Sequence, residues 1–394
     1  MAQTFQNVLI YEDTLARSRR FLPLTYTRSI AELRTGAFSA LERVQSVFRG
    51  AQVYLHTRPE LKTVITERYG LPVNEVPQGS TLLLNAREAL IFNPNNSWYE
   101  FDEIPEDIAN SLTRGEPIEP PGPIRDDAPA SIWDIIHANA KAIHADVELW
   151  TMLNRSVERP AFSNCSIVKP ENLLIHPSAE IGANVVLDCI HGEIIIEEAV
   201  RIYPNSTIIG PAFIGKNSLI KIGAKIYEGT SIGPTCKMGG EIETSIVQGF
   251  SNKQHDGYLG HSFLGEWVNL GAGTNTSDLK NDYSPVRVTI EGEEFNTGLL
   301  FIGLLMGDHS KSSIGTQFNS GTAVGVSCNI FDAGFPPKWI PNFSWGGAKE
   351  LTTYRFDKAM AVAQAVMERR NRQLTEQEML LLKALFDDRN RVEI

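Results

Sequence analysis

Aliphatic positions in the middle of this chain recur every sixth residue: Ile202, Ile208, Ile214, Ile220, Ile226 and Ile232, with Met238 in the next slot. That spacing fits neither the helical period of about 3.6 residues nor the strict alternation of a half-buried strand. It predicts hexapeptide units, each a short flat strand and a turn, three of which close one triangular coil of a parallel β-helix. One aliphatic side chain per unit then points into the prism. A neighbouring glycine, as in Ile214-Gly215 and Ile232-Gly233, lets the backbone bend at a corner. Ile175, Ile181 and Leu187 carry the pattern upstream and Leu264 and Leu270 carry it downstream, while Ile302, Ile314 and Val326 lie multiples of six apart. The solenoid is expected from about residue 163 to about residue 330, with its longest insertion at 277–295, where the sequence turns polar and loses register. Its ends need caps.

The N-terminal part has a different rhythm. An apolar strand spans residues 7–12, helical spacing follows at 31–48, and further strand-like runs occupy 51–56 and 81–85. Strands alternating with helices predict an α/β layer with a mostly parallel sheet. A proline-rich, charged connector follows at 116–129, then an amphipathic helix at 131–153 with Ser131 as its N-cap. The organisation is therefore an α/β domain over 1–115, a linker and connecting helix over 116–160, the β-helix over 161–334, and an arm with two helices over 335–394. The first of those helices is expected at about 351–370, and the second starts at Thr375, with Glu378 completing a capping box.

Charge narrows the partners. With a net charge of −11, nucleic acid and anionic membrane are poor partners. No apolar run is long enough to span a bilayer, and the N-terminus lacks a signal-peptide pattern, so the expected location is cytoplasmic. Cys165, Cys189, Cys236 and Cys328 form no CxxC pair and read as small buried residues, with no metal site.

Candidate chemistry concentrates between residues 251 and 283, where His255, Tyr258, Asn269, Asn275 and Lys280 lie among glycines and apolar core positions. Histidine is the side chain suited to take a proton near neutral pH. The run His255-Asp256-Gly257-Tyr258-Leu259-Gly260, followed by Val268-Asn269-Leu270-Gly271-Ala272-Gly273-Thr274, resembles the acetyltransferase half of the bacterial bifunctional enzymes that make UDP-N-acetylglucosamine. A similar but divergent branch of sugar nucleotidyltransferases shares the 22–28 LPLTYTR, 274–281 TNTSDLKN and 307–311 GDHSK segments. The resemblance implies a nucleotide-diphospho-sugar transferase-like α/β domain joined to a left-handed β-helix, assembled as a homotrimer. It implies acetyl transfer from acetyl-CoA to an amino-sugar 1-phosphate, with His255 as base, Tyr258 positioning the acetyl group and Asn269 beside them. Lys225, Lys253, Asn275, Lys280, Asp308 and His309 are the candidate substrate-binding residues, with Lys237 a further possible source of charge. His261 and His309 are the competing bases, His309 the stronger because Asp308 and Lys311 flank it.

The N-terminal domain departs from the family. Where nucleotidyltransferases place a glycine-rich phosphate loop, this chain reads YEDTLARSRR at 11–20. Where a Mg²⁺-binding Asp is expected it has Asn85-Ala86-Arg87, and an Arg cannot enter a Mg²⁺ shell. Arg17, Arg20, Arg28, Arg34 and Arg87 are candidates to bind phosphate directly, or else they pair with Glu12, Asp13 and Glu32. Mg²⁺ and a nucleoside triphosphate are implied only if nucleotidyl transfer is retained. The alternative is a non-catalytic sugar-nucleotide-binding regulatory or structural trimer.

Overall fold

The computed structural model describes residues 5–91, 98–153 and 164–389. Strand Asn7–Tyr11 lies between Gln52–Leu55 and Thr81–Asn85 in parallel register, and Trp98–Phe101 closes the sheet antiparallel. The helix expected over 31–48 is shorter, Ala40–Val47. A 3₁₀ turn Ile30–Glu32 and a small hairpin pairing Arg34–Thr35 with Phe38–Ser39 precede it. The turn passes through Gly36 at φ +70°, where a Cβ would sit 2.4 Å from the Asp146 carboxylate. Ser39 and Glu42 then form the capping box that starts the helix.

Residues 165–340 wind into a prism of three parallel sheets. The first face runs from Cys165–Val168 to Tyr258–Gly260, the second from Leu173–Ile175 to Trp339–Ile340, and the third from Glu180–Ile181 to Asn252–Lys253. Ile202, Ile208, Ile214, Ile220, Ile226, Ile232 and Met238 all point inward and are buried. The expected start and the 160/161 junction lie outside the described residues. Downstream the frame differs from the expectation. The chain leaves the prism after Asn275–Thr276 and returns at Leu304–Met306, so the inward column is Met306, Ser312, Phe318, Val324 and Ile330. Ile314 is instead 78% exposed at a corner, and Ile302 and Val326 are buried on the outside of the prism.

The excursion carries the hairpin Arg287–Ile290/Glu293–Asn296. It packs within its own chain. Val286, Val288, Ile290 and Phe295 join the core that contains Ile132 and Trp133, and Arg19 and Tyr26 of the N-terminal domain bond Glu291.

Helix Ile132–Met152, capped by Ser131, covers the second face. Ile143, Leu149 and Trp150 bury the outward side chains of Leu174, Ile195 and Phe213. Each apolar side chain so covered contributes roughly 1.5–3 kcal/mol. Asn139 of this helix accepts from Gly36 N and donates to Gly229 O and Ser231 Oγ, tying both domains together. Helices Phe356–Glu368 and Glu376–Asp388 close the chain, the second with the expected capping box at Thr375. The first begins later than expected because Leu351–Thr353 pairs as a strand with Ser344–Gly346. No described helix is long and apolar enough to cross a membrane.

Candidate active site

His255 stands in the turn between Asn252–Lys253 and Tyr258–Gly260, at the corner where the third face meets the first. It is exposed, and among the described residues its ring makes no hydrogen bond. With Lys221, Gln254, Asp256, Ala272 and Gly273 it lines an open cleft of about 410 Å³. Gly257, at φ +125°, makes the turn possible, since a Cβ there would lie 2.1 Å from Thr274 O. Behind the turn, Lys253 takes an inward slot above Met238. Its ammonium, inside the prism, donates to Gly239 O and His255 O, each at 3.0 Å. Burial pulls its pKa down to about 8, with Asp256 and Glu241 opposing. Lys253 is thus spent on holding the His255 turn, and the expectation that it meets substrate is corrected.

Asn269 lies on the third face in register between Asn252 and Lys311. Tyr258 is on the first face, its hydroxyl 2.8 Å from both Glu243 Oε2 and Asp278 Oδ2. A hydroxyl has one proton, so it can donate to only one of these carboxylates at a time. Burial first, then both carboxylates, raise the Tyr258 pKa. Asp278 Oδ2 also meets His261 Nδ1 at 2.8 Å. Burial pushes the Asp278 carboxyl up, but the bonds from His261 and Tyr258 hold it below the usual range. Asn275 accepts from Tyr258 N and donates to Gly273 O. Lys225 is exposed, 3.7 Å from Glu241. Lys280 contacts Ser284 and Asp282. The candidates therefore fall on two faces: His255 and Asn269 belong to the corner and the third face, and Tyr258, Asn275 and Lys225 to the first.

Asp308 and His309 lie elsewhere, and their expected substrate role is corrected. Arg28 reaches across from the N-terminal domain and grips Asp308 with two bonds, at 2.9 and 2.7 Å, and Thr27 adds a third at 2.6 Å. Burial would raise the Asp308 pKa, but Arg28 and Thr27 bring it below the ordinary range. Gln248 reinforces the same joint, accepting from Arg34 N and donating to Glu32 O. His309 stacks on Trp267, which stacks on Phe250.

Burial, then Lys311 and Arg28, lower the His309 pKa from 6.5 to about 3, with Asp308 opposing. An imidazole held neutral this firmly makes a poor base. Between those pH values the unfolded chain binds the proton and the folded chain does not, so stability falls as pH falls from 6.5 toward 3. Asp308 acts in the same direction at lower pH. We expect His309→Gln to flatten the slope of stability against pH between about 6.5 and about 4. Urea unfolding at stepped pH measures this, and an unchanged slope would count against it.

The other arginines are also largely engaged. Arg87 clasps Asp13 at 2.7 Å, and Asn85 donates to the same oxygen. Arg17 bonds Glu12, Gly115 O and His56. Arg34 reaches Glu42 and Ala37 O and lies over the Phe213 ring. Only Arg20, exposed beside Phe295, makes no ion pair among the described residues. Of the two readings of these arginines, direct phosphate binding or pairing with carboxylates, the geometry follows the second for Arg17 with Glu12 and Arg87 with Asp13, while Arg28 pairs with Asp308 and Arg34 with Glu42. The Asp13 surroundings do not suit a divalent cation, because a guanidinium fills the place beside the carboxylate. Lys221, Glu243 and Asp146 were not singled out by sequence. The eighteen-residue coil repeat that sets Arg201, Leu219 and Lys237 in register would have placed Lys221 near the His255 turn.

Residues 8–98 match a family model described as sugar nucleotidyl transferase. The chain is similar to a bifunctional sugar-1-phosphate nucleotidylyltransferase/acetyltransferase of Sulfurisphaera tokodaii, 31% identical over 148 residues that cover 36% of each protein. It is similar to the bifunctional protein GlmU of Methanocaldococcus jannaschii, 35% identical over 157 residues, 38% of this chain and 36% of that one. The matched stretches span little more than a third of these relatives' lengths. Among solved structures, the UDP-N-acetylglucosamine acyltransferase of Francisella novicida aligns with a TM-score of 0.27 at 15% identity, over 59% of this chain and 86% of that one.

Proposed function

We propose that this chain, a divergent relative of the bifunctional sugar-1-phosphate nucleotidylyltransferase/acetyltransferases, moves an acetyl group from acetyl-CoA to the amine of an amino-sugar 1-phosphate, with glucosamine 1-phosphate the first candidate. The observation that carries this reading is the exposed His255 ring on an open cleft, with its turn pinned from behind by Lys253. In this reading His255 takes the ammonium proton, the freed amine attacks the thioester carbonyl, the C–N bond forms and the C–S bond breaks. The nitrogen loses its second proton as the amide forms; of the two protons released, one goes to the leaving thiolate to give the thiol and the other passes through His255 to solvent. The acidic pair on Tyr258 suits an amine better than a phosphate, which leaves the phosphate to cations such as Lys221.

A homotrimer belongs to this proposal. Each chain covers its own second face, so the first and third faces remain for neighbours, and the exposed Ile222 and Ile314 flank the same corner as His255. Light scattering that finds a stable monomer at micromolar concentration would sink it. The direct test of the activity is mass spectrometry of a panel of amino sugars and their 1-phosphates incubated with acetyl-CoA. No acetylated product from any acceptor would overturn the reading.

A second reading applies to the N-terminal domain, where the Arg87–Asp13 clasp favours loss of metal-dependent nucleotidyl transfer. Weak nucleotide-sugar binding that is indifferent to EDTA supports it. A tight, strictly Mg²⁺-dependent site for a nucleoside triphosphate refutes it.

A further inference from the structure

The chain carries 47 acidic and 36 basic residues, yet one patch of the third face is strongly cationic. Arg201, Leu219, Lys237 and Asn252 follow one another in register up its outward side. Adjacent strands lie about 4.8 Å apart, so Arg201 and Lys237 are separated by about 10 Å. Lys221 rises beside them over the Tyr203 ring. From above, Arg370 reaches down to Asn252 Oδ1 at 3.1 Å, bringing Arg369 with it. Among the described residues none of these five cations has a carboxylate within 4.0 Å, although Glu180 starts the column below Arg201. Lys237 registers the crowding. Its pKa is lowered, first by burial and then by Arg370, Arg369, Lys221 and Arg201.

A helix end explains part of this. Arg369 and Arg370 follow helix Phe356–Glu368, whose C-terminal carbonyls attract positive charge. Arg201, Lys221 and Lys237 belong to the solenoid, where no helix end accounts for them. Like charges held together without a counter-charge are unfavourable, and a bound polyanion relieves that cost.

We propose that this face is a binding site for a diphosphate group, with Arg201, Lys237 and Arg370 gripping the phosphates and Lys221 linking the site to the His255 cleft. A diphosphate is carried both by coenzyme A and by nucleotide sugars. The proposal rests on the acyl-transfer reading only for the expectation that coenzyme A is the source.

Calorimetry on the full chain at low ionic strength tests it, with inorganic pyrophosphate, coenzyme A and a nucleoside diphosphate as separate ligands. Pyrophosphate should bind, and affinity should fall steeply with added salt. The Arg201→Gln/Lys237→Gln double variant should weaken pyrophosphate binding about tenfold or more, since each loses a charge-assisted contact. Both side chains point outward from the prism, Arg201 exposed and Lys237 half-buried, so an unchanged melting temperature is the folding control. Coenzyme A binding more tightly than the nucleoside diphosphate assigns the site to the acyl donor, and the reverse order assigns it to a nucleotide sugar; either supports the site. No pyrophosphate binding, or equal binding by parent and variant, overturns it. So does a variant that falls apart into smaller oligomers, because the face would then be a subunit contact. Pyrophosphate binding without acetyl transfer to any acceptor leaves this site standing and removes the acyl-transfer reading.

Discussion

Replacing His255 with alanine is expected to lower acetyl transfer by about 10²–10⁴-fold, the usual cost of losing a positioned general base. The fold should survive, because the ring is exposed and bonds none of the described residues. What shapes the turn is Lys253 beneath it and Gly257 beside it, and neither is touched by the change. Tyr258→Phe should cost less, since only a hydroxyl is removed, although it also takes away the donor that Glu243 and Asp278 share. The competing base is His261, whose Nδ1 faces Asp278 in the arrangement that orients an imidazole for proton transfer. It replaces His309 in that role, since His309 is buried between Trp267 and the Arg28–Asp308 joint. Initial rates of acetyl transfer for His255→Ala and His261→Ala decide between them. Near-full activity in the first and none in the second would move the site to the first face.

The six-residue rhythm was legible because each unit devotes one slot to the interior and little else competes for it. The frame after the insertion was not. The chain leaves at Thr276 and returns at Met306, and the new phase cannot be inferred from the old one. Lys253 could have been read as an inward residue by counting six from Val247, but a lysine suggests surface until its two carbonyl partners are seen. The 22–28 and 307–311 segments look like ligand-binding motifs for a related reason. A string of charges reads the same whether its partner is a phosphate or, as between Arg28 and Asp308, a carboxylate 280 positions away. The His255 turn was the opposite case. Its polar residues crowd into one short stretch, yet the coil turns between them, so Tyr258 and Asn275 stand on the first face while Lys221, from an earlier coil, joins His255 in the cleft.

The largest loss of stability is expected from Asp146→Ala. Arg43 and Asp146 are 1% and 0% exposed and meet through two bonds of 2.8 Å. Arg43 also donates to the carbonyls of Ala89, Leu90, Thr35 and Phe38, so one guanidinium collects the ends of several N-terminal segments. Asp146 sits on the helix that covers the solenoid and accepts from Ala37 N at 2.8 Å. Removing the carboxylate strands a charge that cannot be neutralised by losing its proton, at a cost of roughly 3–5 kcal/mol. Arg43→Met should cost less, because a buried carboxylate can take up a proton and keeps its bond from Ala37. The double variant Arg43→Met/Asp146→Leu should recover much of the loss, since no charge is left without a partner. Urea unfolding of the three variants reads these differences from the midpoints. The pair joins the N-terminal domain to the covering helix on the second face, away from the His255 corner, so acetyl transfer per folded molecule should be unchanged. An Asp146→Ala protein within about 1 kcal/mol of the parent would mean that this joint does not hold the domains together.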